Sequence, residues 1–432
     1  MFVARSRALL ASLRLAAWHL VVRLRTWRVF TLALALRLSV MWLRPLEHHA
    51  ENIKVGFTLA ERGYLGNPYI IPTGPTAHVA PAYPLLVAAV RLMTPTEAAC
   101  MRTLSVILAV VTSWNVAALI PISRAFKLPH GSGAIAALLW LIPLFAWVEV
   151  GGEFETPLTV AALLALVTVV RRAIDSEHPT VVTGAQLGLA TGLGAYFTPT
   201  VLPIAALATL AGARLVRWTP RGLLAVLAGA TLAFAIVIMP YTLRNYHTFG
   251  AWFLMRDNFG IELSISNGPG ARATQSENAA VGGRLNHHPG NSRSSAVMVR
   301  ELGEAEYNRR LQRAAITWMV ANPNESLKLV AQRMAYMLLP YSIRWYQRVL
   351  AAAISLMSIA GCVFLWRSRY RVGIGCLAAS VAGYLLAYLL IEHDMRYMYP
   401  ALFLESLIAG SFAAVLLERS NQNTHGSTLS NA

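Results

Sequence analysis

Acidic side chains are scarce in this chain of 432 residues, with 20 Asp plus Glu against 37 Lys plus Arg, so the places where they gather are informative. Glu47 and Glu51 lie together in LEHHAENIKVG, Glu149, Glu153 and Glu155 in WVEVGGEFETPL, and Glu392 with Asp394 in IEHDMRYMYP. A carboxylate beside a hydroxyl can take its proton as that oxygen attacks an electrophilic carbon. Three arginines stand where apolar segments end or in adjoining loops: Arg244 in PYTLRNYHTFG, Arg256 in MRDNFG, and Arg396 next to Tyr397. A guanidinium offers planar, paired donors that match phosphate oxygens. One acid at a nucleophile and one or more arginines at a phosphate make a minimal site for moving a group off a phosphate. Taken singly, each charge is equally explained by solvation at a membrane interface or by snorkelling. The set as a whole points to chemistry.

Other polar groups fall near these. The string TGPTAHVAPAYP, residues 73–84, combines turn formers with His78 and Tyr83 and leads into a short apolar helix; proline suits a helix start because its missing N–H is unpaired there. It is either a structural elbow or a rigid wall beside a phosphate cleft. His48 and His49, with Glu51 and Glu155, offer a weak oxygen and nitrogen ligand set, so a divalent metal is allowed but not required. His287-His288-Pro289 lies in a long polar stretch, either as ordinary loop or as part of an acceptor site.

The elements that position these groups must be membrane helices. Hydrophobic residues make up 56% and charged residues 13%, with mean hydropathy +0.51, against roughly 45–50% and about 25% in soluble domains. The excess apolar surface faces lipid, which makes this an all-α polytopic membrane protein. The formal charge is +17, but the arginines are scattered between apolar segments instead of sharing one soluble face, which excludes nucleic acid as a partner. Cys100, Cys362 and Cys376 sit in apolar stretches without metal spacing.

About ten segments approach the roughly 20 residues that a span requires: 29–44, 99–119, 132–150, 157–171, 181–198, 200–214, 222–243, 349–366, 372–391 and 398–417. Pro81–Met93 is too short and reads as a re-entrant or interfacial helix. The Lys/Arg clusters orient the chain with both termini in the cytoplasm. The expected organisation is a basic amphipathic N-terminus at 1–28, not a cleaved signal, and a transmembrane core at 29–243 with a first outer loop at 45–98. A large outer loop region at 244–348, C-terminal transmembrane helices at 349–417 and a tail at 418–432 follow. All three acidic groups then fall on the outer face. No internal repeat is visible.

The stretch ENIKVGFTLAERGY at 51–64, followed by TGPTAHVAPAYP, resembles the first outer loop of bacterial membrane glycosyltransferases of the GT-C superfamily. These include the protein O-mannosyltransferases and lipid A aminoarabinose transferases, and the likeness is to glycosyltransferase family 39. Similar correspondences recur at Glu155-Thr-x-Leu158, Arg244-Asn-Tyr with Phe249-Gly, Arg256-x-Asn-x-Gly260 and Arg396-Tyr-x-x-Pro400, so the resemblance covers about residues 29–417. It implies a GT-C-like fold in the bacterial inner membrane and a periplasmic site. There a sugar would pass from a polyprenyl-phosphate donor to a hydroxyl of an envelope acceptor, with inversion if the donor is β-linked. It implies that Glu51 is the catalytic acid position, with Glu47 the fallback, and that Glu155, with Glu153 close behind, is the second carboxylate. Arg244 and Arg396 would contact the phosphate, with Arg256, His78, Tyr83 and Tyr397 completing the substrate site. The chain departs from the aminoarabinose transferases in lacking a lysine before the Pro-x-Tyr turn, where His78 is the nearest polar group. Two other readings stay open: a lipid-linked glycan flippase or transporter, which needs midplane charges such as Arg37 and Glu405, and a polysaccharide ligase or polymerase.

Overall fold

The computed structural model describes residues 24–43, 50–280 and 288–429; Glu47, His48, His49 and His287 lie outside them. In chain order the described helices are α1 (Thr26–Met41), α2 (Glu51–Arg62), α3 (Ala82–Met93), α4 (Glu97–Ala125), α5 (Ser132–Leu139), α6 (Ala146–Glu149), α7 (Thr156–Ile174), α8 (Val181–Ala195) and α9 (Val201–Val216). They continue as α10 (Pro220–Phe249), α11 (Phe259–Ser266), α12 (Gln275–Ala280), α13 (Arg293–Leu302), α14 (Glu304–Ala321), α15 (Pro323–Leu338), α16 (Trp345–Leu365), α17 (Arg371–Leu386) and α18 (Met395–Leu429). Among the described residues there is no strand, only isolated bridges at Gly66–Pro75 and Thr274–His393. The all-helical membrane architecture expected from composition is the one observed.

Among the described residues, five helices are long and apolar enough to cross a membrane: α4, α7, α10, α16 and the first 25 residues of α18. The helices α3, α8, α9 and α17 are apolar but shorter, at 12 to 16 residues. The short helix expected at 81–93 is therefore present as α3. The central element is α18, whose residues Tyr399–Leu404 are all buried. Along α8 the glycines Gly184 and Gly188 let the backbone of α10 come so near that a Cβ would lie 2.0 and 2.1 Å from the carbonyl oxygens of Val226 and Ala230. Small residues four apart allow this close helix contact in lipid.

Two expectations change. The expected span 132–150 is broken: α5 stops at Leu139, the chain turns through Pro143, and α6 is a single turn. Breaking a helix at membrane depth frees carbonyls that lipid cannot satisfy. Arg37 of α1 meets that need. Its guanidinium donates to the Trp140 carbonyl at 3.0 Å and pairs with Glu149 at 3.0 Å, both side chains fully buried. The Tyr399 hydroxyl donates to the other Glu149 oxygen at 3.1 Å. Second, α10 continues to Phe249, beyond the expected end at 243, so Arg244 sits inside a helix. After α13 the chain breaks at Gly303 and again at Asn322-Pro323, which divides α14 from its neighbours.

Removing one member of this ion pair strands the other in the interior. Glu149→Ala is expected to destabilise the protein by about 3–5 kcal/mol. Replacing both partners, as Arg37→Met with Glu149→Leu, should cost clearly less. Thermal unfolding in detergent micelles compares the two.

Candidate active site

The half of the molecule that carries Glu51 is organised by one short stretch of backbone, residues 76–78. Upstream, α2 ends at Gly63 in the left-handed conformation, and Asn67 turns the chain by accepting the Thr73 and Gly74 amides through Oδ1 at 3.1 and 2.9 Å. The Thr76 amide then returns to the Leu65 carbonyl at 2.9 Å. Three distant groups grip the result. Glu304 accepts the Ala77 amide at 2.7 Å and also the Thr76 hydroxyl. Arg244 donates to the carbonyls of Thr76 and Leu65 at 3.0 and 3.3 Å. Arg256 donates through Nε to the His78 carbonyl at 2.9 Å. Gly303, with φ of +81°, makes the bend that lets α14 begin with Glu304 against this stretch.

Held this way, His78 is buried directly behind Glu51. Its Nε2 lies 2.8 Å from one carboxylate oxygen of Glu51, and His288 Nε2 lies 3.3 Å from the other. Tyr69 approaches His78 Nδ1 with its hydroxyl at 3.1 Å and packs edge-on against both imidazoles. Burial by itself would push the Glu51 carboxyl up. The charges of His78 and His288 and the His78 hydrogen bond outweigh it and hold that carboxyl well below the ordinary carboxylate range. Burial disfavours the charged form of His78, yet Glu51 raises it above the usual imidazole value. The pair is an ionised carboxylate against an imidazolium.

Elsewhere burial dominates without such compensation. It raises Glu304 to about 7 and Asp257 to about 6 despite the nearby His78 charge. It raises Glu392 to about 7, helped by the negative neighbours Glu262 and Asp394.

A cavity of about 840 Å³ opens beside Glu51, and Glu51, Glu153, Glu155, Arg256, Arg396 and Tyr397 all line it. Glu155 is joined to Glu51 through the next residue, since Asn52 donates to its carboxylate at 2.6 Å. Arg396 lies between the rings of Phe154 and Tyr397, 4.6 and 4.9 Å from their centroids, and touches the Tyr397 hydroxyl at 3.1 Å. Among the described residues neither Arg256 nor Arg396 is in an ion pair, so both keep donors for an anion. A smaller neighbouring cavity of about 370 Å³ shares Glu153 and lies across the turn at Glu392–Arg396.

The residues singled out in the sequence thus divide. Glu51, Glu155, Arg256, Arg396 and Tyr397 converge on one cavity, with His78 behind Glu51. Arg244 does not line it; its guanidinium is engaged with backbone carbonyls of the first outer loop. Tyr83 is buried and donates to the Gly152 carbonyl, tying α3 to the turn that presents Glu155. His48, His49 and Glu47 fall outside the described residues. Sequence reading assigned no such place to His288, for which the doublet before Pro289 was the only signal. Nothing local marks Tyr69, Asn52 or Glu304.

One carboxylate and two imidazoles whose ligand atoms lie within 4.8 Å of one another could hold a divalent metal ion. Glu51 and His78 suit that use, with Tyr69 orienting His78 from behind. His288 suits it less, because its Nδ1 accepts the Gly290 amide at 3.0 Å. That bond places the proton of a neutral ring on Nε2, the atom that faces Glu51.

No protein-family model and no curated protein sequence matches this chain. Solved structures do. The apo crystal structure of the oligosaccharyltransferase from Archaeoglobus fulgidus superposes with a TM-score of 0.55 at 11% identity, over 91% of this chain and 51% of that one. The same enzyme in complex with Zn and sulfate gives 0.54 at 12% identity, over 90% and 49%. The chain spans about half the length of these structures. At such identity the likeness is one of fold, and the fold is GT-C-like, as the sequence resemblance implied.

Two outcomes follow from the site. The acids raised toward 7 lose their protons in the unfolded chain first, near 4.5, so between about 4.5 and about 7 the unfolded state binds fewer protons. Stability should therefore fall as pH rises from 5 to 8, and Glu304→Gln should flatten that slope in thermal melts. Zinc should bind once per chain in a chelator competition, weaken as pH drops because His78 must lose its proton, and fail to bind Glu51→Ala or His78→Ala.

Proposed function

We propose that this protein is a membrane glycosyltransferase that moves a sugar from a polyprenyl-phosphate donor to an acceptor hydroxyl at the outer face of a bacterial inner membrane, with both termini in the cytoplasm. The observation that carries this reading is the convergence of Glu51 and Glu155 with two unpaired guanidiniums on one cavity at one end of the helical bundle. The oligosaccharyltransferase with the same fold was crystallised with Zn and sulfate, in keeping with a site that takes a cation and a tetrahedral anion.

In the reaction the bond from the anomeric carbon to the phosphate oxygen breaks as the acceptor oxygen bonds to that carbon. The transition state is oxocarbenium-like. Arg396 and Arg256 receive the negative charge left on the polyprenyl phosphate, in a cleft where fixed donors act strongly. The acceptor proton goes to a carboxylate. Glu51, kept ionised by its imidazole neighbours, is a poor resting place for a proton and better suited to aligning the acceptor hydroxyl. Glu155, tethered by Asn52, is then the proton acceptor. A divalent ion held by Glu51 and His78 would add positive charge beside the cavity. Tyr397 keeps Arg396 in place, and the smaller cavity across the Glu392–Arg396 turn offers the acceptor its own approach. The envelope acceptor is an alcohol-bearing molecule reached from outside.

A transporter would need free charges near the midplane. Arg37 is consumed by Glu149 and by freed carbonyls, and Glu405 accepts the Ser355 hydroxyl at 2.6 Å.

The test is transfer in detergent from a panel of polyprenyl-phosphate sugars to envelope extracts. Glu155→Gln should lower kcat by about 10²–10⁴, Glu51→Gln should lower kcat and remove zinc binding, and Arg396→Ala should lower kcat because the leaving phosphate loses a charged donor. Transfer by both Gln variants at the wild-type rate would sink the site assignment. No transfer from any donor would sink the function.

A further inference from the structure

A second cavity lies at the far end of the bundle from the candidate active site. α1 leads toward the outer loops at its C-terminus, and α4 meets the Gly152 turn near its N-terminus, so the first turn of α1 and the last turn of α4 mark the opposite end. Between them is a space of about 530 Å³ lined by Arg25, Thr26, Trp27, Phe30, Trp114 and Arg124 together with Leu24. No carboxylate lines it, and neither Arg25 nor Arg124 is in an ion pair among the described residues. The tryptophans are large and open, 58% and 59% exposed for Trp27 and Trp114. They are nonetheless ordered by packing: Phe30 meets Trp114 edge-on at 6.3 Å, and the Arg28 guanidinium covers Trp27 at 5.4 Å. Arg25 provides no side-chain cap for the first amides of α1.

These features name a ligand class. Two guanidiniums around a cavity, with no acid to neutralise them, call for an anion. Trp27, in the first turn of α1, sits at the headgroup level of a bilayer, and Trp114, ten residues or about 15 Å along α4 from Arg124, falls beside the acyl chains. Basic pockets between spans at that depth suit anionic lipid headgroups. The preceding segment of the chain cannot supply the missing charge, because residues 1–23 contain Arg5, Arg7, Arg14 and Arg23 but no Asp or Glu.

We propose that this cavity is a binding site for the phosphodiester headgroup of an anionic phospholipid, with Arg25 and Arg124 holding the phosphate oxygens, Trp27 covering the glycerol backbone and Trp114 packing against an acyl chain. It is independent of the glycosyl-transfer reading, since it shares no residue with that site.

The experiment is native mass spectrometry of the full chain in detergent with equimolar phosphatidylglycerol and phosphatidylcholine, together with thermal melts against each lipid and against inorganic phosphate. The wild type should retain phosphatidylglycerol in preference and be stabilised by it alone. The Arg25→Gln, Arg124→Gln double variant should bind phosphatidylglycerol about tenfold more weakly. Trp114→Ala, which leaves both charges, should also weaken it and serves if the double variant fails to fold. Equal retention of phosphatidylglycerol by wild type and variants, or equal retention of the two lipids, would overturn the proposal. Equal stabilisation by inorganic phosphate would show a soluble-anion site and overturn it as well.

Discussion

The grip of Glu304 on residues 76 and 77 is the interaction on which the half of the molecule around Glu51 depends. A carboxylate buried by α14 accepts both the Ala77 amide and the Thr76 hydroxyl, while Arg244 and Arg256 take carbonyls on either side of the same stretch. Buried backbone groups left unpaired are costly, so this four-way arrangement fixes the path of the loop. Fixing the loop fixes His78, and through His78 the side chain of Glu51. Disturbing any of the three grips would be felt at the cavity, although neither Glu304 nor Arg244 lines it.

The same rule, that low dielectric tolerates polar groups only when they are satisfied, accounts for the membrane half. The break after α5 is stable because Arg37 reaches across from α1, and Arg37 is tolerated because Glu149 faces it. Tyr399 on α18 then ties that pair to the central helix. A charge that reads in isolation as a transport residue is here the fastening of a broken helix. It also holds the segment leading to Glu153 and Glu155, so the membrane core and the cavity rim are set by one network.

Electrostatics then separates the acids by environment. Glu51 faces two imidazoles and stays ionised, whereas Glu304 and Glu392, walled in by protein, rise toward neutrality. Of these, Glu51 and Glu392 line the same cleft, which so presents a fixed negative charge beside a carboxyl held near neutrality. Arg256 and Arg396, in no ion pair among the described residues, place positive charge across that cleft.

Much of this was legible in the chain itself. Composition alone demanded lipid-facing helices, and the order of ENIKVG, EFETPL, MRDNFG and MRYMYP along the chain placed Glu51, Glu155, Arg256 and Arg396 at one end. These signals survive because hydropathy and local motifs act over a few residues. The break at Pro143, the extension of α10 past Arg244, the arrival of His288 at Glu51 and the hold of Glu304 on Thr76 were not legible. Each depends on contacts between segments up to 237 residues apart, formed because a buried donor or acceptor had to find a partner, and no periodicity in sequence records which partner it found. The sequence determined the solvent, the class of helices and the inventory of charges; only tertiary packing decided which of those charges do chemistry and which hold the molecule together.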